Sequence, residues 1–179
     1  MEEIKSKILN TALEMFFRYG IRSVSMDDIA RELSMSKKTI YQYYKDKDEI
    51  VTEGVRNHFW EEEKEFADIL VASEDALDEM MRLTKCMRKN MEGVNTSVTY
   101  DLQKYYPKAW SLVQEFKDGF IRSSVINVIE RGKKEGLFRP EINDEILTIY
   151  RIESIQLTFD PKIFPADKFD FVEVQITLL

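Results

Sequence analysis

Lys37, Lys38, Thr39, Tyr41, Tyr43, Lys45 and Lys47 crowd into SKKTIYQYYKDKDE, the fourteen residues from Ser36 to Glu49. Ammonium groups, hydroxyls and phenol rings at this density suit phosphate oxygens and the polar edges of flat heterocycles. Ser36 is a natural N-cap, which puts Lys37, Lys38 and Thr39 in the first turn of a short helix. Lysines there oppose the helix dipole, each costing ~0.3–1 kcal/mol. Elsewhere the chain places acids at helix starts, at Asp27-Asp28 and Glu74-Asp75. The unfavourable lysines make sense with an anionic partner opposite this helix end; a solvated turn with incidental lysines is the plainer alternative. Tyr41, Tyr43 and Tyr44 cannot all point inward from one helix, so at least one phenol is expected at the surface. Lys47 follows at the start of the next helix, beside further free N–H groups.

Catalytic chemistry is poorly supplied. The chain has one histidine, His58, and one cysteine, Cys86, and its six glycines are scattered rather than gathered into a phosphate loop. Carboxylates are many but follow solvated helix faces. No catalytic residue, metal ligand set or cofactor is therefore expected. A single cysteine excludes an internal disulfide and fits a reducing compartment. The start, MEEIKSKIL, lacks the apolar run of a signal peptide, and no stretch approaches ~18 uninterrupted apolar residues. A cytoplasmic protein with no membrane partner is expected.

The net charge of -7 is unevenly placed. Residues 1–50 hold nine Lys/Arg and nine Asp/Glu, so all seven excess negative charges lie after Ile50. An acidic chain of this kind is no general polyanion binder, but it can carry one small basic face.

The elements that must position this face are helices. Ile4, Ile8, Ala12 and Phe16 fall at steps of four, and Gly20 stands where a C-cap is expected. Ser25 with Asp28 reads as a capping box opening a second helix through Ile29, Ala30 and Leu33. The third runs from Ser36 to about Tyr43, with Ile40 as its inward anchor. Two short helices joined by a tight turn describe a helix-turn-helix, whose second helix enters the DNA major groove. A long helix begins near Lys47 and carries Ile50, Val51, Val55, Phe59, Phe66, Ile69 and Leu70 at helical spacing. Ser73 is read as the cap of the next helix, which ends at Gly93. A segment around Tyr100 follows, then a long helix from Pro107 to Gly136. Asn143 caps a further helix, broken at Asp160-Pro161. A last helix spans Pro165 to Leu179 with Phe169, Val172 and Ile176 on one face. No strand pair is expected: the fold class is all-α, with a helix-turn-helix domain over 1–46 and a larger helical domain over 47–179.

Residues 9–50 resemble the DNA-binding domain of the tetracycline-repressor (TetR) family of transcriptional regulators. The resemblance rests on Ala12, Phe16, Gly20, Asp28-Ile29-Ala30, Ser36, Thr39, Ile40, Tyr41, Tyr44, Lys47 and Ile50 at matching spacing. YDLQKYYPKAW and ERGKKEGLFRPEIN resemble later family helix junctions more loosely. The resemblance implies that Lys37, Lys38, Thr39 and Tyr41 face bases or the adjoining backbone. It implies that Tyr43 and Lys47 hold phosphates, with Ser25 and Ser36 contributing at the helix caps. Two positions depart from the family pattern: Ser34 replaces the glycine of the tight turn, and Lys38 replaces a small residue.

The resemblance further implies a homodimer and a small-molecule pocket in the larger domain. Candidate lining residues, drawn from a dense aromatic and methionine set, are Phe59, Phe66, Met87, Tyr100, Trp110, Phe116 and Phe120. An ordinary core would use the same residue types. Dimer contacts are expected from the last two helices. The apolar pattern is still running at VQITLL with no C-cap, so the terminal helix is expected either to continue past Leu179 or to be short. The reading is a repressor released from a palindromic operator by a hydrophobic or aromatic effector. A regulator of the same fold without a small effector, acting as an activator or under a protein partner, is the alternative. A helical enzyme or carrier is a remote one.

Overall fold

The computed structural model describes residues 2–91, 93–95, 97–158, 162–165 and 168–178, all helix, turn or coil. The helices are α1 (Glu2–Tyr19), α2 (Met26–Glu32), α3 (Lys37–Tyr41), α4 (Lys47–Ala72) and α5 (Ala76–Met91). They continue with α6 (Ser97–Tyr105), α7 (Pro107–Phe116), α8 (Arg122–Lys134), α9 (Asp144–Thr158) and α10 (Phe171–Thr177). A π-helical stretch, Lys117–Ile121, leads from α7 into α8 without a break in helical backbone. The chain packs as two compact units, Met1–Glu62 with Gly93–Glu115, and Glu63–Glu92 with Phe116–Leu179. The junction read at residue 46/47 thus falls inside the first unit.

The first unit is built on the period-four stripe of α1. Ile8, Ala12 and Phe16 share one core with Ile29, Ile40, Tyr44 and Ile50. Gly20 ends α1 at φ 84, its N–H donating to the Phe16 carbonyl at 2.9 Å, a left-handed helix end that favours glycine. Tyr44 is buried and its hydroxyl donates to the Lys5 carbonyl at 3.2 Å. Burial pushes this phenol up to about 12. α6 belongs to the same unit: the buried Asp101 carboxylate accepts from the Arg22 N–H at 3.0 Å, and Asn95 N–H donates to the Phe17 carbonyl at 2.6 Å.

Between α2 and α3 the backbone turns through Ser34 at φ 53. Met35 N–H donates to the Ala30 carbonyl and Ser34 N–H to the Arg31 carbonyl, at 2.9 and 3.0 Å, the paired bonds of a Schellman turn. The serine therefore takes the left-handed conformation that glycine usually supplies. Ser34→Gly is expected to raise stability by about 0.5–1 kcal/mol, relief of the left-handed penalty outweighing the entropy glycine adds to the unfolded chain. A lower urea midpoint for this variant would show the serine to be unstrained.

In the second unit α5 packs on α8 and α10, and α9 on α8 and α10. Arg131 ties α8 to α5: it donates to the buried Glu79 at 2.8 Å, to Glu135 at 2.7 Å and to the Ser73 carbonyl at 3.2 Å. Asn143 caps α9, its Oδ1 accepting from Ile146 N–H at 3.0 Å. Two expected boundaries are corrected. Ser73 does not cap α5; its hydroxyl turns back to the Ile69 carbonyl at 2.6 Å, and Asp75 accepts the Leu77 and Asp78 N–H groups instead. The last helix opens at Phe171, not Pro165, after Asp170 accepts from Glu173 N–H at 3.1 Å. The break at Asp160-Pro161, the residues Phe159 and Leu179, and the side chain of Val172 lie outside the described residues.

Candidate nucleic-acid interface and second-unit cavity

α2 and α3 hold the candidate interface through their caps. Ser25 and Asp28 form a full capping box: Ser25 Oγ accepts from Asp28 N–H at 3.2 Å, and Asp28 accepts from Ser25 N–H at 2.9 Å. The Ser25 hydroxyl, donating to Asp28 Oδ2 at 2.6 Å, and then the Ser25 N–H hold the Asp28 carboxyl below its ordinary range. Ser36 Oγ accepts from Thr39 N–H at 3.0 Å and lies 2.8 Å from Thr39 Oγ1. The cap thus fixes the orientation of the threonine hydroxyl. α3 ends at Tyr41 rather than Tyr43; the chain tightens there, with Tyr43 N–H donating to the Ile40 carbonyl at 2.9 Å.

Ile40 is fully buried and points α3 into the core, which leaves Lys37, Lys38 and Tyr41 on the exposed side. Lys38 makes no hydrogen bond or ion pair among the described residues. Lys37 donates to Asp27 of α2 at 2.9 Å, and that bond raises its affinity for a proton. Tyr43 is half-buried against the core. Lys47 is turned inward: its ammonium donates to the Ile21 carbonyl at 2.5 Å and lies 5.6 Å from the Phe16 ring centre. Burial pulls its pKa down from the ordinary lysine value. Its first task in this structure is to tie the start of α4 to the end of α1. The single histidine, His58, meets Phe17 edge-on at 5.3 Å, and burial lowers its pKa.

The second unit contains a small, partly open cavity of about 40 Å³. Phe66, Met80, Leu83, Met87, Val125 and Ile155 form much of its wall. Two of the candidate ligand residues, Phe66 and Met87, line it directly. Phe120 sits against Phe66 with ring centres 5.6 Å apart, and Phe116 stacks on Phe120 at 5.3 Å. Phe59, Tyr100 and Trp110 belong instead to the first unit, where Trp110 packs against its core and Tyr100 is exposed. Aromatic density along the chain marked both groups alike. Thr84, Ser124 and Arg151, also in the wall, were missed because single polar residues on helical stripes carry no periodic signal.

Residues 8–53, which include α2, its turn, α3 and the start of α4, match the family described as bacterial regulatory proteins, tetR family. That segment is matched as a TetR-type DNA-binding domain. It is 29% identical over 145 residues to the uncharacterized HTH-type transcriptional regulator YvaF of Bacillus subtilis, covering 78% of this chain and 73% of that one. It is 23% identical over 154 residues to the HTH-type transcriptional repressor KstR2 of Mycobacterium tuberculosis, covering 82% and 74%. A TetR-type fold runs through both units. A transcriptional regulator from Saccharomonospora viridis, solved in complex with choline, superposes with a TM-score of 0.80 at 21% identity, over 99% of this chain and 94% of that one. Both sequence relatives are named helix-turn-helix transcriptional regulators or repressors, and this chain shares their type of DNA-binding segment. Among the described residues no helix is long and apolar enough to cross a membrane.

Proposed function

We propose that the protein is a homodimeric repressor that leaves a palindromic operator when a small apolar-bodied molecule fills the second-unit cavity. The observation that carries the reading is α3 itself: five residues, anchored by a fully buried Ile40, with Lys37, Lys38 and Tyr41 exposed beside an oriented Thr39. Asp27 offsets Lys37, but Lys38 stands in the first turn with no anionic partner among the described residues, a placement that opposes the helix dipole and suits a phosphate. The repressor role is supported by the similarity to KstR2, named a repressor, and a small effector by the choline-bound structure of like fold.

A second copy would cover the outer face of α9, where Ile146, Ile149, Tyr150 and Leu157 are exposed at helical spacing. Each copy would then offer one α3 to one half-site. The long helix α4 carries both Lys47, just after the reading helix, and Phe66, in the cavity wall. A ligand that favours one position of this helix would bias the operator-binding state.

The reading is tested with operator DNA selected by the wild-type protein from a random pool. Thr39→Ala is expected to cost about 1–3 kcal/mol on the selected sequence and little on random DNA. Lys38→Ala should weaken both and lower the salt slope by about one. Lys47→Ala should weaken both as well, accompanied by a loss of about 1 kcal/mol in stability from its Ile21 bond. Unchanged binding in Thr39→Ala and Lys38→Ala would remove α3 from the interface.

A further inference from the structure

Arg151 of α9 is 6% exposed and reaches the wall of the second-unit cavity. One terminal nitrogen donates to the Gln175 side-chain oxygen at 2.6 Å and to its backbone carbonyl at 3.3 Å. The other donates to Thr84 Oγ1 at 3.0 Å. All three acceptors are neutral, and among the described residues no carboxylate lies within ion-pair distance. Arg131 in the same unit makes the contrast: it is held between Glu79 and Glu135.

A buried guanidinium without a counter-charge is costly, and folded chains usually pair or remove such groups. The neutral acceptors do more than tolerate it. Gln175 is itself locked, its amide donating to the Ser154 carbonyl at 3.1 Å and to Thr158 Oγ1 at 2.5 Å. The guanidinium is therefore held in place while its charge is left uncompensated, which makes it a candidate for pairing with an anion. Among the described residues, Arg151 is the one charged side chain in the cavity wall. The two wall hydroxyls are spent inside their own helices, Thr84 on the Met80 carbonyl and Ser124 on the Phe120 carbonyl. The remaining wall is apolar.

We propose that the effector is a monocarboxylic acid with an apolar body, its carboxylate held by Arg151 and its body against Phe66, Met87 and Ile155. One carboxylate cancels one guanidinium and matches its planar donors, whereas a doubly charged phosphate would leave an excess negative charge in an apolar wall. A neutral ligand would leave the cation unpaired, and a cationic one would add repulsion. The assignment rests on the cavity being the effector site and on its apolar side chains parting for the ligand, since the space present is only about 40 Å³.

The test uses the full chain with straight-chain acids from hexanoate to decanoate, phenylbutyrate, and the alcohols of matching skeleton. Thermal shift, calorimetric titration and release of bound operator DNA are read for each. At least one acid is expected to bind and release DNA, with its alcohol roughly 10–100-fold weaker. Arg151→Gln should weaken the acid by a similar factor and leave the alcohol unchanged. Arg151→Lys, which keeps the charge but not the fork, should retain a preference for acids at reduced affinity. It also serves as the second variant if the glutamine variant loses its helical circular dichroism. Alcohols binding and releasing DNA as well as their acids, with neither affected at Arg151, would overturn the carboxylate assignment and leave the cavity as the effector site. Binding by neither class would overturn both.

Discussion

Ile40→Ala is expected to lower stability by about 2–5 kcal/mol and to abolish operator binding, although residue 40 touches no DNA in the proposed complex. The reason is the length of α3. A helix of five residues has almost no stability of its own, since isolated helices below roughly 12 residues are marginal in water. Its place is set by the Ser36 cap at one end and by Ile40, with no exposed surface, in the middle. Truncating Ile40 removes the only buried side chain of that helix. Ile40→Val should cost about 0.5–1.5 kcal/mol and keep binding, because the β-branched anchor still fills most of the site. Urea unfolding followed by circular dichroism, with gel-shift titration of the same variants, reads both effects. A wild-type midpoint and affinity for Ile40→Ala would mean that α3 is positioned by something other than its anchor.

Phe16→Ala should cost about 3–5 kcal/mol, the range for emptying a buried aromatic site. Phe16 is 2% exposed and shares the first unit's core with Ile8, Ile29, Ile40 and Ile50, so residues from four helices lose a common neighbour. Its ring also faces the Lys47 ammonium at 5.6 Å, which the Ile21 carbonyl holds from the other side. Losing the ring opens that ammonium to water, so the Lys47 pKa should return toward the ordinary lysine value, measurable by side-chain NMR titration. Phe16→Leu keeps most of the volume and should cost less than about 1.5 kcal/mol. If Phe16→Ala left the Lys47 titration where it was, the depression would belong to other neighbours.

The local signals were legible where physics is local. Ser25 with Asp28, Ser36, Asn143 and the glycines at 20, 93 and 136 each mark a helix end whose bonds or left-handed backbone close within a few residues. The departure at Ser34 was legible too, and the backbone there turns left-handed as glycine would. The failures lie where two elements compete for a residue or where partners are distant. Ser73 looks like a cap, but the preceding helix claims its hydroxyl, and the acid two residues later caps α5. The π-helical stretch at Lys117–Ile121 leaves no mark in apolar spacing loose enough to fit either period. Trp110 and Phe120 sit on what reads as one helical pattern, yet they serve the cores of different units. Periodicity names the face of a helix and says nothing of what meets it. Arg151 shows the same limit from the polar side: its burial is a property of Thr84 and Gln175, sixty-seven and twenty-four residues away.

The bond from Lys37 to Asp27 means that in the proposed complex α3 would arrive at DNA already engaged. Asp27 stands in for a phosphate, so a contact made by Lys37 in the proposed complex is an exchange of one anion for another. An exposed pair of this kind contributes only about 0–1 kcal/mol, so the swap is easy. It nonetheless subtracts from binding at every site, matched or mismatched, and so acts as an internal competitor. Operator and random sequence are taxed alike, which lowers the time spent on random DNA without narrowing the gap between the two.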